Sequence, residues 1–248
     1  MQLIIGSQVT LIDGKIQKLF PYGKVLELLS KFKNICNDIH WNVNVPQRDN
    51  CQIIENQEEI KIKNFHPREF QTNCVDKFTR TTLTGYLYAP TGAGKTNIAA
   101  YLIAKRNIRT LFIVPKADLV KQTKKRFQAI LDIDPKHIGE LSGSKKEFGA
   151  AILITTWQSL NNDATLQTII DDKYSMVICD EMHKCSAEVY YNVVSRIPAM
   201  YKHGLTATPY RNNTQNEQRL FDLIGNELAR VEISDLYNDK FLVRPSIQ

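Results

Sequence analysis

Residues 86–106 read YLYAPTGAGKTNIAAYLIAKR: an apolar run, a turn carrying two glycines, and a stretch of helical character in immediate succession. The pattern predicts a strand, a loop and a helix over 95–106 with Lys95 and Thr96 in its first turn. Gly92 and Gly94 let backbone N–H groups converge on an anion, and the start of the helix adds positive potential. Lys95 can then reach the β and γ phosphates of a nucleoside triphosphate while the Thr96 hydroxyl ligates Mg²⁺. The general phosphate-loop pattern GxxxxGK[ST] begins with glycine, and here that position is Ala89, so the match is a variant. A ligand-free glycine turn is the competing reading, and the flanking strand and helix weigh against it.

Outward from this loop, from about residue 83, short apolar runs alternate with amphipathic stretches. LTGYLYA, TLFIVP, AAILITT, YSMVICD and HGLTATP are separated by expected helices over 95–106, 117–130, 158–171 and 186–196. Buried strands spaced by such stretches predict an α/β domain, a parallel sheet with helices on both faces. Ligands of these sheets bind beyond the carboxyl ends of the strands, which here are PTGAGKT, PKADL, TWQSL, DEMH and TATP.

The run MVICDEMHKC, residues 176–185, gathers two cysteines, a histidine and two acids. A zinc site needs three or four converging ligands, and the Cys179 to Cys185 spacing has no second ligand pair elsewhere at finger-like spacing. Zinc is therefore not expected; Cys179 reads as a buried strand residue and Cys185 as a small residue opening the next helix. A phosphate loop needs acids on a neighbouring strand tip, so Asp180 is assigned to Mg²⁺ and Glu181 to the attacking water. Without the loop, adjacent acids after a strand would read as a solvated turn.

The 248 residues are 43% hydrophobic and 23% charged, which suits a globular chain with one good core, or one core and a small appendage. No run approaches the length of a membrane span, and five cysteines without a CxxC pair fit a reducing compartment. A cytoplasmic protein with no membrane partner is expected, in host cytoplasm if phage-encoded, as the richness in Asn, Lys and Ile hints. The net charge is +6, with Lys116, Lys121, Lys124, Lys125 and Arg126 clustered. Such a cluster is either a solvated helix face or a contact for a polyanion.

Residues 1–64 have a different texture: two β-like runs around the turn IDGK, an expected helix from Pro21 to Lys33, and an Asn-rich stretch containing Pro46. They are assigned to a small α+β N-terminal domain with a boundary near Asn64. The chain closes on SDLYNDKFLVRPSIQ, read as a short helix and an extended tail.

APTGAGKT and DEMH together resemble the superfamily 2 DExH helicases and translocases, in which alanine at the first loop position is habitual. HPREFQ is similar to the family's adenine-contacting element, FIVPKADLVKQ to motif Ia, ITTWQSL to motif Ib and GLTATP to motif III, in the family's order. The resemblance covers about residues 65–247 and is strongest to the UvsW/XPB branch of DNA helicases, which includes phage branch-migration enzymes with a small N-terminal domain. For residues 1–64 it implies either DNA-structure recognition or capping.

The resemblance implies a RecA-like P-loop NTPase fold and ATP-dependent movement on duplex or branched DNA. It places Phe65, Arg68 and Gln71 at the adenine, and Pro90, Thr91, Gly92, Ala93, Gly94, Lys95 and Thr96 around the phosphates, with Lys95, Asp180 and Glu181 catalytic and Mg²⁺ held by Thr96 and Asp180. His183, Thr206 and Thr208 would couple nucleotide state to movement, although Thr206 and Thr208 also read as hydroxyls capping their own turn. Pro115, Lys116, Thr156, Gln158 and Ser159 would contact DNA phosphates. Trp157 reads as a base-stacking residue or, more simply, as core.

Motors of this class place ATP between two RecA-like domains, and the second supplies an arginine finger worth ~10³ to 10⁵ in rate. The chain is expected to hold the first domain only, and to be weakly active or inactive alone. Competing readings are the motor portion of a restriction-type complex, a nucleotide-dependent DNA-binding scaffold without turnover, and an RNA helicase.

Overall fold

Alternation within each apolar run divides its side chains between two faces, and the chain must cover both. The computed structural model describes residues 4–5, 9–12, 15–20, 59–81, 84–182, 192–208 and 223–238. Near the start, β1 (Ile4–Ile5), β2 (Val9–Ile12) and β3 (Lys15–Phe20) form a three-stranded sheet in the order β1-β3-β2. β2 and β3 are antiparallel with Ile12 opposite Lys15; the expected turn residues between them lie outside the described residues. The expected helix over 21–33 lies outside the described residues.

The main unit begins with β4 (Lys61–Ile62), followed by α1 (Glu69–Thr81), β5 (Thr84–Tyr88), α2 (Lys95–Arg106), β6 (Thr110–Val114) and α3 (Ala117–Ile130). Next come β7 (Leu131–Asp132), a 3₁₀ turn over Pro135–His137, β8 (Ile138–Ser142), β9 (Lys145–Lys146), β10 (Ile152–Thr156), α4 (Trp157–Leu160) and α5 (Asp163–Asp171). β11 (Met176–Cys179), β12 (Tyr201–Thr206), β13 (Glu227–Arg230) and α6 (Ile233–Asn238) complete it.

Eight strands form one sheet in the order β13-β5-β12-β11-β6-β10-β8-β9, parallel throughout except for the antiparallel edge pair β8 and β9. Phe112 and Val114 of β6 point into a cluster shared with α1, α2 and α3, whereas Leu111 and Ile113 point into a second cluster with Leu160, Leu166 and Ile169 of α4 and α5. Both faces are therefore covered by helices, as the continuous apolar runs require. Chain order reverses around β5: the crossover through α2 leads past two positions to β6, and β11 and β12 later fill the gap. The carboxyl ends of β5, β12, β11 and β6 thus line one crevice.

Helices α2 and α3 span the residues their periodicity marks, but the helix expected over 158–171 is interrupted. Asn161 ends α4, and the Asn162 side chain accepts from the Thr165 N–H at 3.0 Å, starting α5 afresh. An asparagine pair bonds its own backbone better outside a helix than within one. Ile60 is already 2% exposed in the first cluster, and β4 pairs with β7, so the chain joins this unit ahead of Asn64. Among the described residues, no helix is long and apolar enough to cross a membrane.

Candidate functional site

β5 delivers Tyr88 to the crevice, and the backbone then folds back through Ala89–Gly94. Gly92 and Gly94 have φ of +90° and +78°, the left-handed region in which a side chain is strained. At Gly94 a Cβ would also sit 2.9 Å from the Gln71 amide nitrogen, whereas at Gly92 it would meet nothing within 4 Å. One glycine is needed for the close approach of α1, and the other borders open space. The Gly94 carbonyl accepts from the N–H groups of Asn97 and Ile98, so α2 starts directly from the loop.

Lys95 leaves the first turn of α2 and donates from Nζ to the Ala89 carbonyl at 3.2 Å. The same Nζ lies 3.3 Å from Glu181 Oε1, and the two side chains are only 10% and 17% exposed. Glu181 follows β11 with φ of +47°, an uncommon conformation for a non-glycine residue, and its N–H donates to Asp180 Oδ1 at 3.0 Å. Asp180 is anchored through its own N–H to the Ile113 carbonyl at 2.8 Å. Only β12 separates the strands that end at the glycine loop and at the acids. Thr91, Thr96, Asp180 and Glu181 consequently line one cavity of about 750 Å³ with Lys95.

Gln71 on α1 is 4% exposed and ties two segments together: Oε1 accepts from the Arg68 N–H at 3.1 Å, and Nε2 donates to the Ala93 carbonyl at 3.4 Å. Phe65 is half-buried against the first apolar cluster, and Arg68 just after it and Pro90 in the loop are half-buried too.

The end of β12 meets the loop where the Ala89 N–H donates to the Thr206 carbonyl at 2.9 Å. The Thr206 hydroxyl donates to the Thr208 carbonyl at 3.2 Å and accepts from the Thr208 N–H at 3.1 Å, so it caps its own turn. His183 and Cys185 lie outside the described residues. Cys179 is buried at 1% exposure, and among the described residues no three His, Cys, Asp or Glu side chains gather as a metal cluster.

The motif Ia and Ib residues come together because β6 and β10 are neighbours with Val114 opposite Thr156. Gln158 Nε2 reaches the Pro115 carbonyl at 3.5 Å, and the Lys116 side chain is exposed beside it in sequence. The Thr156 hydroxyl accepts from the Ser159 N–H at 3.2 Å and sits 3.0 Å from the Ser159 hydroxyl. Trp157 is half-buried against the second apolar cluster, with its indole nitrogen enclosed.

The cavity has a wall that the motifs do not mark. Gln122, Lys125 and Arg126 of α3 line it together with the loop residues, and Arg126 Nε donates to Asn97 Oδ1 at 2.8 Å. The clustered lysines were legible in the sequence as a charged face, but not which cavity that face borders.

The sheet order and this loop define a RecA-like domain carrying a P-loop. The chain belongs to the ResIII family, described as "Type III restriction enzyme, res subunit", which matches residues 64–211. It is 30% identical over 182 residues to the DNA 3'-5' translocase XPB2 of Sulfurisphaera tokodaii, covering 68% of this chain and 40% of that protein. It is 26% identical over 209 residues to the putative DNA 3'-5' helicase Rad25 of Halobacterium salinarum, covering 84% of this chain and 34% of the relative. The chain thus spans well under half the length of these relatives. Its fold resembles the crystal structure of the UvsW helicase from bacteriophage T4, with a TM-score of 0.63, 19% identity, and coverage of 88% of this chain and 81% of that one. The relatives and this neighbour agree with the UvsW/XPB branch read from the motifs.

Proposed function

We propose that this chain is the first RecA-like lobe of an ATP-dependent DNA helicase or translocase acting on duplex or branched DNA. The observation that carries the reading is the Lys95–Glu181 pair, 3.3 Å apart on the wall of a cavity that Thr96 and Asp180 share. A lysine and a carboxylate held together beside a glycine loop form a neutral resting site. A triphosphate entering the loop competes for Lys95 and releases Glu181 to orient or accept a proton from water.

The residues fit the nucleotide and its metal. Gly92 opens onto unfilled space, and the hydroxyl of Thr96 and carboxylate of Asp180 are hard oxygen donors of the kind Mg²⁺ prefers. Bound there, Mg²⁺ would neutralise charge on the β and γ phosphate oxygens. Gln71, bridging Arg68 and Ala93, would hold the adenine-side element at a set distance from the phosphate loop, with Phe65 as a stacking face. His183, Thr206 and Thr208 would transmit the state of the acids to the rest of the protein; the Ala89 to Thr206 bond supports a path through β12. Lys116 and the hydroxyls of Thr156 and Ser159 would contact DNA phosphates without reading sequence. The segment ahead of Ile60, where the chain joins the main unit, would serve either DNA-structure recognition or capping. A second RecA-like lobe in the full protein would supply an arginine finger and the rest of the track.

The family's description favours one further reading, the motor portion of a restriction-type complex. One assay separates the readings: ATPase activity of the protein with its second lobe, measured without nucleic acid and with linear duplex, four-way junctions or RNA. Stimulation by duplex or junction DNA is expected. No stimulation by any of them would remove the motor reading, and stimulation by RNA alone would redirect it.

A further inference from the structure

The cavity beside the P-loop is lined by more positive charge than the motifs account for. Lys95 is already engaged by Glu181, and Asp180 adds a second acid on the same side. The remaining cations on the cavity wall are Lys125 and Arg126 of α3, both exposed, and among the described residues no carboxylate pairs with either. Arg126 is the one held in place: its Nε donates at 2.8 Å to Asn97 Oδ1, and Asn97 directly follows Thr96 in the first turn of α2. Gln122, one helical turn earlier on α3, borders the same space. A guanidinium tethered through Nε keeps its two terminal nitrogens for another acceptor, and a planar fork suits a phosphoryl group. The tether also reduces the side-chain entropy that would be lost on binding.

We propose that Arg126, positioned by Asn97, forms a second phosphoryl subsite on the α3 wall of the cavity that Lys95 also lines, one that takes the terminal phosphate of the nucleotide. The subsite rests on the nucleotide-binding reading above. It gives the lobe a cation of its own facing the group that leaves, before any residue from a second lobe arrives. The chemistry would serve equally for the phosphate while attached and for orthophosphate after release, and the two are separable by experiment.

The test measures binding of adenylyl imidodiphosphate, of ADP, and of orthophosphate in the presence of ADP and Mg²⁺, to the 248-residue chain and its variants. Arg126→Ala is expected to weaken the triphosphate analogue by about tenfold, the scale of one charge-assisted hydrogen bond, while ADP changes less than about twofold. Arg126→Lys should recover part of the loss, and Asn97→Ala should produce a smaller loss with the same preference for triphosphate. A loss confined to the orthophosphate arm would still support the subsite and assign it to the released product. Unchanged binding in both arms, or equal weakening of ADP and the analogue, would overturn it. Arg126 is exposed, so an unchanged melting midpoint is expected and excludes misfolding as the cause. Lys95→Ala is run in parallel: if it retains full analogue binding the P-loop reading itself fails, whereas its loss with Arg126→Ala unaffected sinks only the subsite.

Discussion

Lys95 and Glu181 hold each other in the described state, so each substitution has a distinct signature. On the proposed reading Lys95→Ala removes the cation that would meet the phosphates and leaves Glu181 uncompensated, and it is expected to abolish nucleotide binding measured with a fluorescent ATP analogue. Glu181→Gln keeps the shape but removes the carboxylate proposed as the base; in the protein with its second lobe it should bind ATP and fail to turn it over. Normal hydrolysis by Glu181→Gln would show that the base lies elsewhere. Gln71 acts at one remove: its amide spans the Arg68 N–H and the Ala93 carbonyl, and it is 4% exposed. Gln71→Ala leaves those groups unpaired at ~1–3 kcal/mol, read as lower chemical stability together with weaker nucleotide binding. Lost stability with unchanged nucleotide affinity would separate the buried amide from the site.

At the scale of elements, the side chains proposed to contact DNA sit at element termini whose caps position them. The Thr156 hydroxyl caps the short α4 that carries Gln158 and Ser159, and Asn162 caps α5 immediately after it. Asn162→Ala should cost about 1 kcal/mol in urea denaturation and leave nucleotide binding unchanged, because α5 lies on the face opposite α2 and α3. If it perturbs binding, the two faces are coupled more tightly than separate clusters imply. β8 and β9 had no signature in the apolar alternation, since Glu140, 2% exposed, interrupts the run. Its carboxylate lies 2.7 Å from Lys145 Nζ on the antiparallel partner strand, a pairing formed only once the edge folds back.

The whole molecule places one titratable group where neither face of the sheet offers water. His203 on β12 is 0% exposed, with the Phe78 ring edge-on at 4.9 Å and Tyr201 at 6.2 Å. Burial, reinforced by the charge of Arg106, pushes its imidazole from the ordinary 6.5 down to about 3. The fold therefore favours neutral histidine, and the unfolded chain takes up a proton first as pH falls. The resulting stability is fully present above about pH 6.5 and is lost as pH falls towards 3, with a slope of at most ~1.4 kcal/mol per pH unit. Urea midpoints measured from about pH 7.5 to about pH 5 should decline, and His203→Leu should flatten the decline whatever its effect on absolute stability. An identical slope in the variant would assign the effect to other groups.

Much of the domain was legible from local pattern. The apolar runs that became β5, β6, β10, β11 and β12, the glycine loop, the spans of α2 and α3, and the adjacent acids are written in side-chain types whose chemistry is local. The break at Asn161 and Asn162, the left-handed turn at Glu181 and the burial of Glu140 were not, because each depends on what a neighbouring segment supplies. The sequence by itself determined that a glycine loop and a carboxylate pair each end an apolar strand. Only the tertiary structure decided that the two strand ends lie on either side of β12, that Lys95 rests against Glu181, and that Arg126 of α3 borders the same cavity. The reason is physical: strand order and helix packing bring together residues far apart in the chain, and a hydrogen bond such as Arg126 to Asn97 exists only after α2 and α3 have packed on the same face of the sheet.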